Sequence, residues 1–404
     1  MLQTDFKNLD KVEKVAIFGS TGFIGRQTLD VIRTCGDIEV YALTCNKSIE
    51  VLVSQIEEFK PKLVCIYDET KLDALKSLMS KKLSPSDISH IKILTGLDGL
   101  NEIAMDRGYD LAVCAIVGMI GLRPTIAAIS SGKNIALANK EVMVCAGEII
   151  NDLLYENNVK LFPIDSEHSA IAQCLAGEDE NKIDKIILTC SGGPFFGMKK
   201  EELKEIDAVK ALQHPIWSMG KKITIDSSTL VNKGLEVLEA KWLFKKEVDD
   251  IQVVIQRGSI IHSMVQFVDG SIKAQLSVPS MTIPIEYALY GKDRRDIGAQ
   301  KLDFNEITNI SFDRPDMETF KGLSLAYAVG RKPLLYSTVF NSANEEAVSL
   351  FLDGKISFLQ IADFIEEALK DATLINAVNQ RDNTIENILI TESETRDFVQ
   401  RLLI

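Results

Sequence analysis

The sequence predicts an α/β protein built in three parts. From residue 15 to about residue 165, short β-branched runs alternate with amphipathic runs of helical length. Over 166–290 helical and extended segments mix, and over 321–404 helical periodicity is continuous. The alternation means βαβ units and a parallel sheet, the mixed stretch an α+β domain, and the last stretch an all-α helical domain. A chain of 404 residues is also too long for one ordinary core. We place the domains at 1–165, 166–290 and 317–404, with a polar linker at 291–316.

The elements follow in order. Strands are read at 15–18, 38–44, 62–67, 91–94, 110–116, 134–138 and 160–164, with helices such as 26–34, 49–59 and 97–107 between them. A further strand is read at 185–188 and a helix at 230–244. Asp269-Gly270 supplies the turn of a hairpin over 267–271. The linker opens on the charged run Lys292 to Asp296. In the last domain Ile361, Phe364, Ile365, Ala368 and Leu369 mark one helical face.

Composition narrows the function. Apolar residues make up 46% and charged residues 25%, which excludes a disordered, collagenous or coiled-coil chain. A net charge of −13 argues against a nucleic-acid or anionic-membrane binder. The seven cysteines form no Cys-x-x-Cys pair and sit in apolar runs such as Leu63-Val64-Cys65-Ile66. They read as small buried hydrophobes in a reducing compartment. Residues 1–14 lack the apolar stretch of a secretory signal, and the longest nearly uncharged run, 111–122, is too short to span a bilayer. A cytoplasmic location is expected.

The first strand runs into Gly19-Ser20-Thr21-Gly22-Phe23-Ile24-Gly25 and then a helix. This is the arrangement of a Rossmann-like dinucleotide loop: a tight turn, backbone close to a pyrophosphate, and a helix N-terminus facing negative charge. A plain strand-to-helix turn is the alternative. The second strand ends in Asn46-Lys47-Ser48 with no acid before Glu50. An acid there would hold a ribose 2′-hydroxyl, whereas Lys47 suits a 2′-phosphate, so NADP is favoured over NAD. Lys47 as a merely solvated loop charge stays open.

The seventh strand ends in Asp165-Ser166-Glu167-His168. Two carboxylates at a strand's carboxyl end suit Mg²⁺ or Mn²⁺; Asp165 also suits the N-cap of the next helix. Ser191-Gly192-Gly193 follows another strand and suits an oxyanion. In Asp226-Ser227-Ser228-Thr229-Leu230-Val231-Asn232-Lys233-Gly234-Leu235-Glu236, Asn232 and Glu236 share a helix face, with Lys233 at its edge. Ser227 and Ser228 are expected near that helix's N-terminus, where anions bind. An ordinary solvated face is the alternative. His214-Pro215-Ile216-Trp217-Ser218-Met219-Gly220 puts one of two Trp on a loop, as a lid that orders over substrate or as a fixed core anchor.

Together with Ala138-Asn139-Lys140-Glu141, these segments resemble the 1-deoxy-D-xylulose 5-phosphate reductoisomerase family over nearly the whole chain. The resemblance implies a homodimer with an NADPH domain, a central catalytic domain and a C-terminal helical bundle. It implies that Gly19, Ser20, Thr21, Gly22, Phe23, Ile24, Asn46, Lys47, Ser48, Asn139, Glu141 and Gly220 contact NADPH. By the same likeness Asp165, Glu167 and Glu236 hold Mg²⁺ or Mn²⁺, while Lys140, Ser166, Glu167 and Glu236 meet the phosphorylated sugar. Ser191, Ser227, Asn232 and Lys233 would hold its phosphate, with His214 and Trp217 closing over it. Lys140 and His214 join the three acids as catalytic residues. The implied reaction is NADPH-dependent, metal-dependent rearrangement and reduction of 1-deoxy-D-xylulose 5-phosphate to 2-C-methyl-D-erythritol 4-phosphate, for isoprenoid precursors. The chain departs from the family's usual Gly-Lys-Asn at 46–48 and carries Cys190 where Gly or Ala is usual. Other readings are weaker. A semialdehyde dehydrogenase needs a catalytic thiol, for which Cys145 and Cys174 are available; a short-chain reductase needs Tyr-x-x-x-Lys, but Tyr287 is followed by Gly291. A non-catalytic NADP sensor needs no carboxylate set.

Overall fold

The structure is a computed structural model that describes residues 11–217 and 219–403. The chain forms two compact units, neither of them continuous in sequence. One takes in the chain up to Val142, then Ile150–Ala172 and Ser280–Gln300; the other takes Met143–Ile149, Gln173–Pro279 and the chain from Lys301 on.

The first unit carries the seven expected strands: β1 (Lys14–Phe18), β2 (Glu39–Cys45), β3 (Leu63–Ile66), β4 (Lys92–Thr95), β5 (Leu111–Cys114), β6 (Asn134–Leu137) and β7 (Leu161–Pro163). They pair in the order β4-β3-β2-β1-β5-β6-β7, all parallel. Every residue of β3 and β5 is buried, as expected for strands covered on both faces. The strand order reverses beside β1, and the crevice beyond the carboxyl ends of β1 and β5 is where such sheets bind ligands. The helix Phe23–Cys35 follows β1, and the helix Thr282–Tyr290, from much later in the chain, packs on it. Beside them the Tyr290 hydroxyl donates to Asp37 Oδ1 at 2.7 Å.

The second unit holds β8 (Ile183–Cys190), β9 (Ile251–Ile255), β10 (Ile261–Phe267) and β11 (Ile272–Leu276), ordered β11-β10-β8-β9. β10 runs antiparallel to both neighbours and β8 pairs with β9 in parallel, so the sheet is mixed. The expected hairpin joins β10 and β11, with Gly270 at φ +84° and Asp269 Oδ1 accepting from Ser271 N at 2.9 Å. The helices Lys321–Gly330, Leu335–Leu352, Phe358–Lys370, Ala372–Asn379 and Ile385–Arg401 form the expected helical region. No helix among the described residues is long and apolar enough to cross a membrane.

Candidate active site

In the first unit the glycine loop is built for close backbone approach. Gly19 has φ +89°, and a Cβ there would lie 2.7 Å from the Ala115 carbonyl oxygen. Its N–H donates to Thr44 Oγ1 at 2.9 Å, and Ser20 N–H donates to the Thr44 carbonyl at 2.8 Å. The Ser20 hydroxyl is buried and donates to Gln55 Oε1 at 2.7 Å, so its side chain braces the loop from behind. A Cβ on Gly25 would meet Ser20 Cα at 2.5 Å, which lets the helix start this close. No side chain caps that helix and its first turn holds no acid, so its positive end is open to an anion. Thr21 and Ile24 are half-buried; Gly22, Phe23, Asn46, Lys47 and Ser48 are exposed.

Beyond β6, Asn139 caps the helix Lys140–Glu156. Its Oδ1 accepts from Val142 N at 3.2 Å and its amide donates to the carbonyls of Ile116 and, at 2.8 Å, Gly118. It therefore ties the loop after β5 to the start of this helix. Lys140 and Glu141 are buried in the first turn. Lys140 Nζ lies 2.8 Å from Asp165 Oδ2, with side chains 8% and 9% exposed. His168, fully buried, sets Nδ1 3.3 Å from Asp165 Oδ1. Burial drives the Asp165 carboxyl up, but the Lys140 charge and His168 outweigh it and hold it well below the usual carboxylate range. Asp165 Oδ1 also accepts from Glu167 N at 3.2 Å, so the capping reading holds alongside the ion pair. Ser166 donates to Glu167 Oε2 at 2.6 Å.

In the second unit the Gly192-Gly193 turn follows β8. Gly193 has φ +69° and a Cβ there would sit 2.7 Å from the Ser227 carbonyl oxygen. Arg257 donates to the carbonyls of Ser191 at 2.8 Å and Gly193 at 3.0 Å, pinning the turn. Ser191 Oγ lies 3.1 Å from His214 Nε2. His214 Nδ1 accepts from the backbone N–H groups of Ile216 and Trp217 at 3.2 and 2.9 Å, so the neutral ring carries its proton on Nε2 and donates to Ser191. Burial, helped by Arg257, lowers His214 to about 4. Over 214–217 and 219–220 the backbone is irregular, with Gly220 exposed and Trp217 half-buried; the rings of Trp217 and His262 are 6.3 Å apart.

The ring's low affinity for protons makes a prediction. The unfolded chain protonates His214 near pH 6.5, while the folded chain resists this down to about 4. The stability from this group is complete above pH 6.5 and lost as pH falls toward 4. The melting temperature of His214→Gln, measured from pH 8 to 4, should fall less steeply across that window than that of the unaltered protein. Parallel curves would refute it.

The expected helix 230–244 is Val231–Leu243. Asn232 donates to Glu236 Oε1 at 2.6 Å, and Lys233 pairs with Glu236 Oε2, at 3% and 1% exposure. The serines are placed differently from the expectation. Ser227 and Ser228 end a separate preceding helix, Lys221–Ser228, and the Ser228 hydroxyl turns back to the Ile225 carbonyl at 2.7 Å. The break is made by Leu230 in the left-handed region, φ +58°. Ser227, half-buried, is left beside the Gly193 turn. Sequence reasoning assigned no role to His168, Arg257 or Asp226. His168 had a signal, its i, i+3 spacing from Asp165; Arg257 had none. The thiols a semialdehyde dehydrogenase would use are unsuited: Cys145 and Cys174 are buried, and burial pushes Cys174 up to about 11.

Comparison with known proteins places this geometry. Family models for 1-deoxy-D-xylulose 5-phosphate reductoisomerase match residues 15–147, for its C-terminal domain residues 161–244, and for the DXP reductoisomerase C-terminal domain residues 276–398. The 1-deoxy-D-xylulose 5-phosphate reductoisomerase of Lachnospira eligens is 49% identical over 96% of this chain and 99% of its own. That of Clostridium perfringens is 46% identical over the same shares. A crystal structure of DOX-P reductoisomerase in complex with NADPH, fosmidomycin and magnesium is 37% identical, covers 97% of this chain and 98% of its own, and superposes with a TM-score of 0.92. The Zymomonas mobilis enzyme in complex with NADPH is 36% identical over 97% and 99%, with a TM-score of 0.85.

Proposed function

Because this chain belongs to the 1-deoxy-D-xylulose 5-phosphate reductoisomerase family, we infer that it catalyses the NADPH- and divalent-metal-dependent conversion of 1-deoxy-D-xylulose 5-phosphate to 2-C-methyl-D-erythritol 4-phosphate. The observation that carries this is the near-complete match in both directions, 96% of this chain and 99% of a relative at 49% identity. NADPH oxidation by the purified protein with that substrate, with and without Mg²⁺ or Mn²⁺, is the test. Activity that needs both substrate and metal is expected; oxidation indifferent to either would overturn the reading.

The residues fit the groups the reaction needs. Asp165, Glu167 and Glu236 are hard oxygen donors, suited to Mg²⁺ or Mn²⁺. Asp165 is kept ionised by Lys140, and Glu236 has Lys233 as its buried ion-pair partner. The loop over Gly19, Ser20, Thr21, Gly22, Phe23 and Ile24, with no room for a Cβ at Gly19, suits a pyrophosphate. Asn46, Lys47 and Ser48 take the adenosine end of NADPH, and Asn139, Glu141 and Gly220 complete its site. When bound, the metal supplies Lewis acidity and NADPH supplies hydride.

The chain's own residues do the rest. Lys140 and Ser166 orient the reacting end of the sugar. Ser191, Ser227, Asn232 and Lys233 hold the phosphate, and the Nε2 proton of His214 adds a donor without adding charge. Remote binding of the phosphate positions the carbon chain. Trp217 covers it, so the aldehyde formed by skeletal rearrangement is shielded until it is reduced. The chain works as a homodimer in the cytoplasm.

Lys47 gives a direct test of cofactor choice. Lys47→Glu sets like charge against a 2′-phosphate and removes a charge-assisted hydrogen bond, worth about 1.5–3 kcal/mol. NADPH affinity by fluorescence titration should fall about ten- to a hundredfold while NADH affinity barely changes. An equal fall for both cofactors would show that Lys47 does not read the 2′-phosphate.

A further inference from the structure

The helix Leu335–Leu352 is buried along nearly its whole length, yet it carries Ser337, Thr338, Asn341, Ser342 and Asn344 among its buried residues. Polar side chains in a core are costly unless they are bonded. One makes a specific long-range bond: Asn344 Nδ2 donates to Asp226 Oδ1 at 2.9 Å, across 118 residues of sequence. Asp226 is 1% exposed and Asn344 wholly buried. The other carboxylate oxygen of Asp226 lies 2.9 Å from Lys222 Nζ, one turn earlier on its own helix. A buried charge is thus met by one lysine and one amide.

What makes this pair functional is its neighbour. Asp226 directly precedes Ser227, whose carbonyl is held against the Gly193 turn. Ser227 therefore has the Gly193 backbone packed close against its carbonyl on one side and follows directly on the anchored Asp226 on the other. The helix ends within two residues, and the left-handed Leu230 then starts the helix that carries Asn232 and Lys233. The turn that carries Ser191 touches this junction, and the helix that carries Asn232 and Lys233 departs from it.

We propose that Asn344, though it touches no substrate, is a positioning residue for phosphate binding: by holding Asp226 it sets Ser227 and the start of the Asn232–Lys233 helix. The inference rests on the phosphate assignment made above. Lys222 is the charged half of the same anchor. Left without either partner, the Asp226 carboxylate turns toward water and draws the helix end with it, and an anion loses its fixed donors.

The test is a split between substrate and cofactor. Asn344→Ala and Lys222→Ala are compared with Lys233→Ala in KM for 1-deoxy-D-xylulose 5-phosphate, in competitive inhibition by inorganic phosphate, in kcat and in NADPH affinity. Removing the anchor should raise KM and weaken phosphate inhibition about tenfold, with a smaller change in kcat and none in NADPH affinity. Asn344→Ala combined with Asp226→Asn should cost less than the sum of the two single changes, because the uncompensated charge is gone. Lys222 is 22% exposed, so its replacement keeps the question open to measurement if Asn344→Ala does not fold. If Lys233→Ala weakens phosphate and neither anchor variant does, the positioning role is refuted. If Lys233→Ala also leaves phosphate inhibition unchanged, the phosphate assignment itself falls, and this inference with it.

Discussion

Glu236→Gln is expected to remove metal-dependent turnover while leaving NADPH binding in place. The substitution keeps the shape of the side chain and the contact with Asn232, but removes an anionic oxygen. Loss of groups that only support a metal ligand already costs about 10–100-fold, so loss of a ligand should exceed that range. It also takes a counter-charge from Lys233, which is only 3% exposed. Breaking a buried pair costs about 3–5 kcal/mol, so the melting temperature should drop as well. Turnover across a Mg²⁺ titration, beside NADPH fluorescence titration, separates the effects. Unchanged metal dependence would show that Glu236 is not a ligand.

Lys233→Ala should weaken substrate far more than cofactor. A charged donor to the phosphate is lost, worth about 1.5–3 kcal/mol, or ten- to a hundredfold in affinity. Glu236, 1% exposed, loses its buried ammonium partner at the same time, so this change also costs stability. The discriminating measurement is substrate affinity against NADPH affinity at a temperature well below the lowered melting point. A variant that is less stable but binds substrate normally would leave Lys233 with a structural role alone.

Much of the first sheet was legible because buried parallel strands are near-continuous apolar runs. Leu63-Val64-Cys65-Ile66 and Leu111-Ala112-Val113-Cys114 have no polar residue to disguise them. The glycine loop was legible because its spacing carries a backbone requirement, which Gly19 shows in its positive φ. What stayed hidden depends on distant partners or on backbone strain. Nothing marks Leu230 as a residue that leaves the right-handed region, a conformation costing about 1–3 kcal/mol. The sequence therefore reads as though Ser227 and Ser228 lead into one helix, when they end another. Asn344 reads as one more polar residue on a helix until Asp226 is seen opposite it. The pairing of Asp165 with Lys140 joins two strand ends that only the sheet order brings together.

The late return of Thr282–Tyr290 to the helix Phe23–Cys35 has a consequence for the newborn chain. That segment buries Ile285, Tyr287, Ala288 and Leu289 in the first unit. Its partner helix, however, is synthesised about 250 residues sooner. At ribosomal rates of 5–20 residues per second, the gap is roughly 12–50 s. During that time the seven strands have all emerged, but the face of the first unit on which this segment packs has nothing to cover it. The stretch between them is also folding onto itself in that interval. This half of the molecule thus begins first and finishes late, and its open face is the surface a nascent-chain chaperone would meet.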